Sequence, residues 1–208
     1  MPLTPPAGAA IFDFDGVIID SLRPVETAIN GALRAHGFAP LDAAEVGHFI
    51  GPPVLSAFAE LTGAAEDSET VAACVATYHE IFARVYLRET RLVEGMPELL
   101  RSLKLPLALA TSKAREFVAP LLEHFGIGFD IVSAPALAEP KAETVARAQR
   151  ALGAHDAVVV GDRFYDIEAA RACDLRVIGV TWGIGDREEL RGADVIVERP
   201  AELRALLA

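Results

Sequence analysis

Two aspartates separated by one residue and followed by glycine, Asp13-Phe14-Asp15-Gly16, offer the clearest chemistry in this chain. The residues before them, Ala9-Ala10-Ile11-Phe12, are apolar, as a strand buried on both faces of a parallel sheet is. On a continuing strand Asp13 and Asp15 would share a face, and Gly16 lets the backbone turn sharply behind them. Two carboxylates that close repel unless a cation sits between them or one keeps a proton. Metal-assisted acid–base chemistry is the first expectation.

Two more apolar runs end on polar residues: Leu105 to Ala110 before Thr111, and Ala157 to Gly161 before Asp162. In a parallel sheet the carboxyl ends of the strands share one edge, where open α/β sheets bind ligands. Asp13, Thr111 and Asp162 are therefore expected to converge. Lys141 opens a helix, where a cation opposes the helix dipole. Near acids, such a lysine suggests a bound phosphate or a counter-charge to the carboxylates. Each residue alone has an ordinary role. Asp-x-Asp-Gly makes turns, Thr111 or Ser112 caps a helix, a lysine is solvated, and Asp166 suits a first helical turn. What sets them apart is their order, each at a strand end or a helix start.

The elements that must carry these groups can be read from periodicity. Ser21 to about Arg91 reads as helical throughout, with no strand. Ser21 is expected to cap a helix with Val25, Ile29 and Leu33 inside and Gly37 at its end. Asp42 to Glu45 resembles a capping box. Pro52 and Pro53 open a third helix with Leu55, Phe58 and Leu61 inside and Gly63 as its stop. Ser68 opens the longest helix, whose Val71, Val75, Tyr78, Phe82 and Val85 share a face, with Cys74 and Ile81 beside it. After Gly95 strands and helices alternate. Strands are expected at 105–111, 130–132, 157–162, 176–182 and 195–197, and helices at 96–103, 116–125, 141–152 and 165–172, with a last helix at the end. This predicts an α/β protein with a doubly wound parallel sheet and an inserted helical segment. The boundaries read as a Rossmann-like core at 1–17 and 92–208 and an α-helical cap at 18–91. The segment enters directly after the first strand, which predicts a lid, with Gly16 and Gly95 able to supply hinge freedom.

Composition narrows the classes. A net charge of −11 argues against nucleic acid and anionic membranes as partners. A phosphate substrate would need a local positive site to overcome that field. Cys74 and Cys173 are too few for a disulfide framework, so a reducing, cytoplasmic setting is expected. No signal peptide and no membrane span are expected. The only lysines are Lys104, Lys113 and Lys141.

Taken together, the motifs resemble those of the haloacid dehalogenase-like hydrolase superfamily, in the subgroup with an α-helical cap after the first strand. Asp13-Phe14-Asp15-Gly16-Val17 matches its first motif and Thr111-Ser112-Lys113 its second. Lys141 matches the third and Gly161-Asp162-Arg163-Phe164-Tyr165-Asp166 the fourth. The likeness spans essentially the whole chain. It is similar above all to phosphoglycolate phosphatase-like and 5′-nucleotidase-like members, through Ile50-Gly51-Pro52-Pro53 and Gly179-Val180-Thr181-Trp182-Gly183. Many relatives have Lys-Pro in the third motif; here Pro140 precedes Lys141 and Ala142 follows, a form resembling the nucleotidase-like branch.

The resemblance implies a Mg²⁺-dependent phosphatase acting on a small phosphorylated metabolite. Asp13 would attack phosphorus and form an aspartyl-phosphate, and Asp15 would serve as general acid and then base. Mg²⁺ would be held by the Asp13 carboxylate, the Asp15 carbonyl and Asp162, with Asp166 orienting a water behind them. Thr111, Ser112 and Lys141 would bind the phosphoryl oxygens. The dehalogenases do not use a second aspartate, so Asp15 points to phosphoryl transfer. Phosphonate-cleaving relatives need a cap lysine, and none lies between Val17 and Arg91. A sugar-phosphate mutase and a non-catalytic regulatory protein with the same fold stay open. Arg23, His48 and the Gly51-Pro52 turn are candidate substrate-side groups. The sequence does not specify the oligomeric state.

Overall fold

The computed structural model describes residues 6–136 and 139–207, so the first five residues of the expected core segment lie outside the described residues. In chain order the core elements are β1 (Ala10–Phe12), β2 (Ile19–Asp20), β3 (Arg91–Leu92), α5 (Met96–Ser102), β4 (Leu107–Ala110), α6 (Arg115–Phe125), β5 (Ile131–Ser133), α7 (Lys141–Leu152), β6 (Val158–Gly161), α8 (Phe164–Ala172), β7 (Arg176–Val180), β8 (Val195–Val197) and α9 (Pro200–Leu207). Between β2 and β3 lie α1 (Leu22–Ala35), α2 (Ala43–His48), α3 (Val54–Thr62) and α4 (Glu69–Glu89).

Six strands form one parallel sheet in the order β5-β4-β1-β6-β7-β8. The expected α/β, doubly wound architecture is the observed one. β1 is central: Phe12 stands opposite Leu109 of β4 and Val160 of β6. The chain moves outward from β1 to β4 and β5, then returns to β6 on the other side. The strand order therefore reverses at β1 and β6, the place where such sheets open a ligand crevice. Ala10, Ile11 and Phe12 are fully buried, which explains why the strand carries no alternation of polar residues. One sheet face packs Ile11, Ala108, Val159 and Val177 against Val145, Ala148, Ile167 and Ala170 of α7 and α8. The alanines let the helices approach closely. α5 and α9 pack on one another.

The chain divides into two compact units, one running through Asp20 and resuming at Leu92, the other Ser21–Arg91. Residues 18–20 group with the first unit. Ile18 and Ile19 are fully buried, and Ile18 accepts the Val93 N–H at 3.0 Å, which ties them to core residues.

In the helical unit α4 packs along α1 and against α3. Tyr78 stacks on Phe82 at 5.6 Å and meets Phe58 edge-on at 5.9 Å. Asp42 forms the expected capping box with Glu45, and Ser68 caps α4 by accepting the Val71 N–H. Several details differ from expectation. Ser21 makes no side-chain cap, because its φ of −111° and ψ of 10° are not the extended geometry a cap needs. Leu55 is exposed, since the buried face of α3 falls on Ala57 and Phe58. Cys74, not Val75, joins the buried stripe of α4. Two short strands, β2 and β3, pair where none was expected. Both cysteines are free thiols. Among the described residues no helix is long and apolar enough to cross a membrane.

Candidate active site

Asp13 follows β1 directly and is held by its N–H, which donates to Val160 O at 2.9 Å. The turn behind it is closed by its own backbone: Ile18 and Ile19 N–H donate to Phe14 O, and Gly16 N–H donates to Ile19 O at 2.7 Å. Gly16 adopts φ +83°, and a Cβ there would lie well under 3.0 Å from Asp162 Oδ2. Only glycine meets both conditions. Asp162 follows β6 and is fully buried. Its Oδ2 accepts the Ile184 N–H at 2.6 Å, whereas its Oδ1 is buried with no hydrogen-bond partner among the described residues.

Lys141, the first residue of α7, reaches between two of the acids. Its Nζ is bonded to Asp13 Oδ1 and lies 3.0 Å from Asp166 Oδ1. These partners offset the unfavourable placement of a cation at a helix start. Asp166 is committed elsewhere as well, its Oδ2 accepting the Asp162 and Arg163 N–H groups at 3.1 Å each. It thereby ties the start of α8 to the end of β6.

Ligand atoms of Asp13, Asp162 and Asp166 lie within 4.8 Å of one another, so three buried carboxylates share one lysine. Burial raises the Asp13 carboxyl well above its usual range; Lys141 pulls it down, while Asp166 and Asp162 push it up. Asp162 is raised to about 7 by burial first and by Asp166 second, against the Ile184 N–H and Lys141. Burial alone would depress Lys141, but Asp13 and Asp166 outweigh it and keep it charged. The cluster is short of positive charge.

Thr111 follows β4 and is buried; its N–H donates to Ser133 O, and its Oγ1 accepts the Lys113 N–H at 3.0 Å. A hydroxyl that accepts still has its own proton to offer. Ser112 stands next to it, half-buried. Asp15 pairs with Lys113, Oδ1 to Nζ 2.9 Å, both side chains largely buried. The structure thus brings Asp13, Lys141, Asp162 and Asp166 together, sets Asp15 against Lys113, and places Thr111 and Ser112 at the same sheet edge. Arg23 and His48 are exposed residues of the helical unit, with His48 3.9 Å from Glu60.

Three site residues escaped the sequence reading. Lys113 is legible in sequence only as part of a motif, although its rarity as one of three lysines is a usable signal. Ile184 acts through its backbone N–H, which no side-chain pattern announces. Trp182 donates its Nε1–H to Val17 O at 3.2 Å; as the sole tryptophan, beside Gly183, it was visible but had no assigned task.

The family model for haloacid dehalogenase-like hydrolases matches residues 10–180, most of the chain. The chain belongs to that family. It is 31% identical over 191 residues to a 5′-nucleotidase of Pseudomonas aeruginosa, covering 87% of this chain and 86% of that one. It is 30% identical to a phosphoglycolate phosphatase of Chromobacterium violaceum, covering 96% of each. The crystal structure of a predicted phosphatase from Clostridium acetobutylicum superposes with a TM-score of 0.88 at 31% identity, over 96% of this chain and 97% of that one. As an enzyme, this haloacid dehalogenase-like hydrolase is of the phosphatase type.

Proposed function

We propose that this hydrolase is a Mg²⁺-dependent phosphatase that cleaves a small phosphomonoester, of the phosphoglycolate or nucleotide kind, through an aspartyl-phosphate on Asp13. The observation that carries it is Asp13 at the end of the central strand, bound to Lys141 and beside Asp162, whose Oδ1 is buried without a hydrogen-bond partner among the described residues. An orphaned carboxylate oxygen within a cluster of three buried acids and one lysine fits a hard divalent cation. Asp13 and Asp162, with the Asp15 carbonyl, would hold the ion. Asp166 is occupied by two backbone N–H groups and Lys141, so its task is to orient rather than to ligate. When bound, Mg²⁺ supplies charge neutralisation at the phosphoryl oxygens.

The chain's own groups then account for both steps. Asp13 attacks phosphorus, and the bond from phosphorus to the ester oxygen breaks. Asp15 gives its proton to the departing oxygen, then takes one from the water that hydrolyses the acyl phosphate and releases inorganic phosphate. Lys141 and the Thr111 and Ser112 hydroxyls bind the transferring oxygens, and Lys141 lets an anionic nucleophile approach an anionic phosphate. We further propose that Ser21–Arg91 is the cap that sets substrate choice, and that the enzyme works in the cytoplasm.

Dialysis against a chelator is expected to abolish activity and Mg²⁺ to restore it; full activity without metal would remove the ion from the reading. The covalent step is tested with an activated aryl phosphate, whose leaving group needs no proton. Rapid-quench mass spectrometry is expected to find phosphate on Asp13 in Asp15→Asn and none in Asp13→Asn. Near-normal turnover by Asp13→Asn would refute nucleophilic attack.

A further inference from the structure

We infer that the Trp182–Gly185 turn holds Asp162 so that it presents a single carboxylate oxygen, and that this gives the metal site its preference for a small divalent cation. The inference rests on the metal reading above. Four contacts converge on Asp162 from this turn and its surroundings. The Ile184 N–H donates to Oδ2 at 2.6 Å. A Cβ on Gly183 would lie well under 3.0 Å from Asp162 Oδ2 and Cβ, and one on Gly16 would meet the same Oδ2 from the opposite turn. A Cβ on Gly185 would strike the Asp162 carbonyl oxygen. The carboxylate is therefore wedged between two bare backbones with one oxygen already bonded and the other, Oδ1, buried without a partner among the described residues. Trp182 fastens the turn to the loop that carries Asp13 and Asp15, through its Nε1–H to Val17 O at 3.2 Å.

The consequence for a cation follows from coordination chemistry. Mg²⁺ keeps a near-ideal octahedron and takes carboxylates through one oxygen, whereas Ca²⁺ accepts more ligands and readily takes both oxygens of one carboxylate. With Oδ2 bonded to a backbone N–H and hemmed in by the Gly16 and Gly183 backbones, Oδ1 is the oxygen Asp162 can offer a cation. That suits the smaller ion and denies the larger one a bidentate ligand. Trp182, Gly183 and Gly185 are positioning residues, acting through Asp162.

The test is calorimetric titration of the metal-free protein with Mg²⁺ and, separately, with Ca²⁺. Gly183 is not among the glycines with positive φ, so Gly183→Ala introduces the clash with Asp162 without left-handed backbone strain. Its Mg²⁺ affinity is expected to fall roughly 10- to 100-fold, the usual cost of disturbing an outer-shell partner. Ca²⁺ affinity is expected to fall far less, so the ratio of the two collapses. Gly128→Ala, where a Cβ meets nothing within 4 Å among the described residues, is expected to change neither. Should Gly183→Ala fail to fold, Trp182→Phe decides: loss of one hydrogen bond is expected to weaken Mg²⁺ binding about two- to tenfold. Unchanged Mg²⁺ affinity in a folded Gly183→Ala, or equal losses for both ions, would overturn the inference and leave the metal reading standing. Wild-type protein that binds no Mg²⁺ would overturn both.

Discussion

Asp15 and Lys113 form an ion pair with both side chains mostly out of water. Lys113 reaches Asp15 from the turn after β4, and its own N–H is bonded to Thr111 Oγ1. One short turn thus sets both the proposed phosphate-binding hydroxyl and the partner of the proposed acid–base group. Removing the ammonium takes that anchor from the Asp15 carboxylate and loosens its aim at the leaving group. Lys113→Met is expected to lower kcat on a substrate with a poor leaving group by on the order of tenfold, part of the 10²–10⁴ that a placed acid supplies. Activity on an activated aryl phosphate, which needs no proton, is expected to suffer much less. Steady-state kinetics on the two substrates check this, and equal losses on both would assign Lys113 to phosphate binding instead.

Both edge strands are entered through the same device. Asp130, before β5, exchanges bonds with Leu107: its N–H donates to Leu107 O at 2.9 Å and its Oδ2 accepts the Leu107 N–H at 2.8 Å. Asp194, before β8, does the same with Val177, at 2.9 and 2.7 Å. The carboxylate completes a ladder rung that a short edge strand cannot supply. Asp194 also accepts from both Arg171 terminal nitrogens, which joins α8 to β7 and β8. Burial would raise its carboxyl, but the Arg171 and Val177 hydrogen bonds outweigh it and leave it lowered. A group lowered on folding contributes stability above its unfolded value and loses it as pH falls through the folded one. Asp194→Asn is therefore expected to cost about 0.5–1 kcal/mol at neutral pH, a figure kept small by solvent screening of a partly exposed pair. Urea unfolding of both proteins at several pH values is expected to show the gap closing below about pH 4. A gap independent of pH would mean the charge plays no part.

At the scale of the whole molecule the excess of acid matters. The net charge is −11, and the buried lysines of the site are already paired with Asp13, Asp15 and Asp166. They do little to draw an anionic substrate from a distance. kcat/KM for a phosphomonoester is expected to rise a few-fold as salt goes from about 0.01 to 0.1 M, because screening relieves the repulsion. A fall with salt would reveal a positive field that steers the substrate in. The architecture behind this site was largely legible. Asp13, Thr111 and Asp162 each end an apolar run, and Gly63, Gly126 and Gly153 each end a helix in the left-handed conformation. What was not legible was short or made by backbone. The two-residue strands β2 and β3 carry no period to read, and the Ile184 N–H on Asp162 and the Trp182 bond to Val17 depend on which turns the sheet brings together.

The sole tryptophan of the chain stands where that last bond is made. Indole emission responds to the hydrogen bonding and polarity around its ring. Trp182 joins the turn over Asp162 to the loop of Asp13 and Asp15, so whatever settles between those acids should change its colour or brightness. The protein carries its own optical probe, in a single copy and without a label. A titration followed in a fluorimeter would register occupancy in the resting enzyme, before any substrate is turned over.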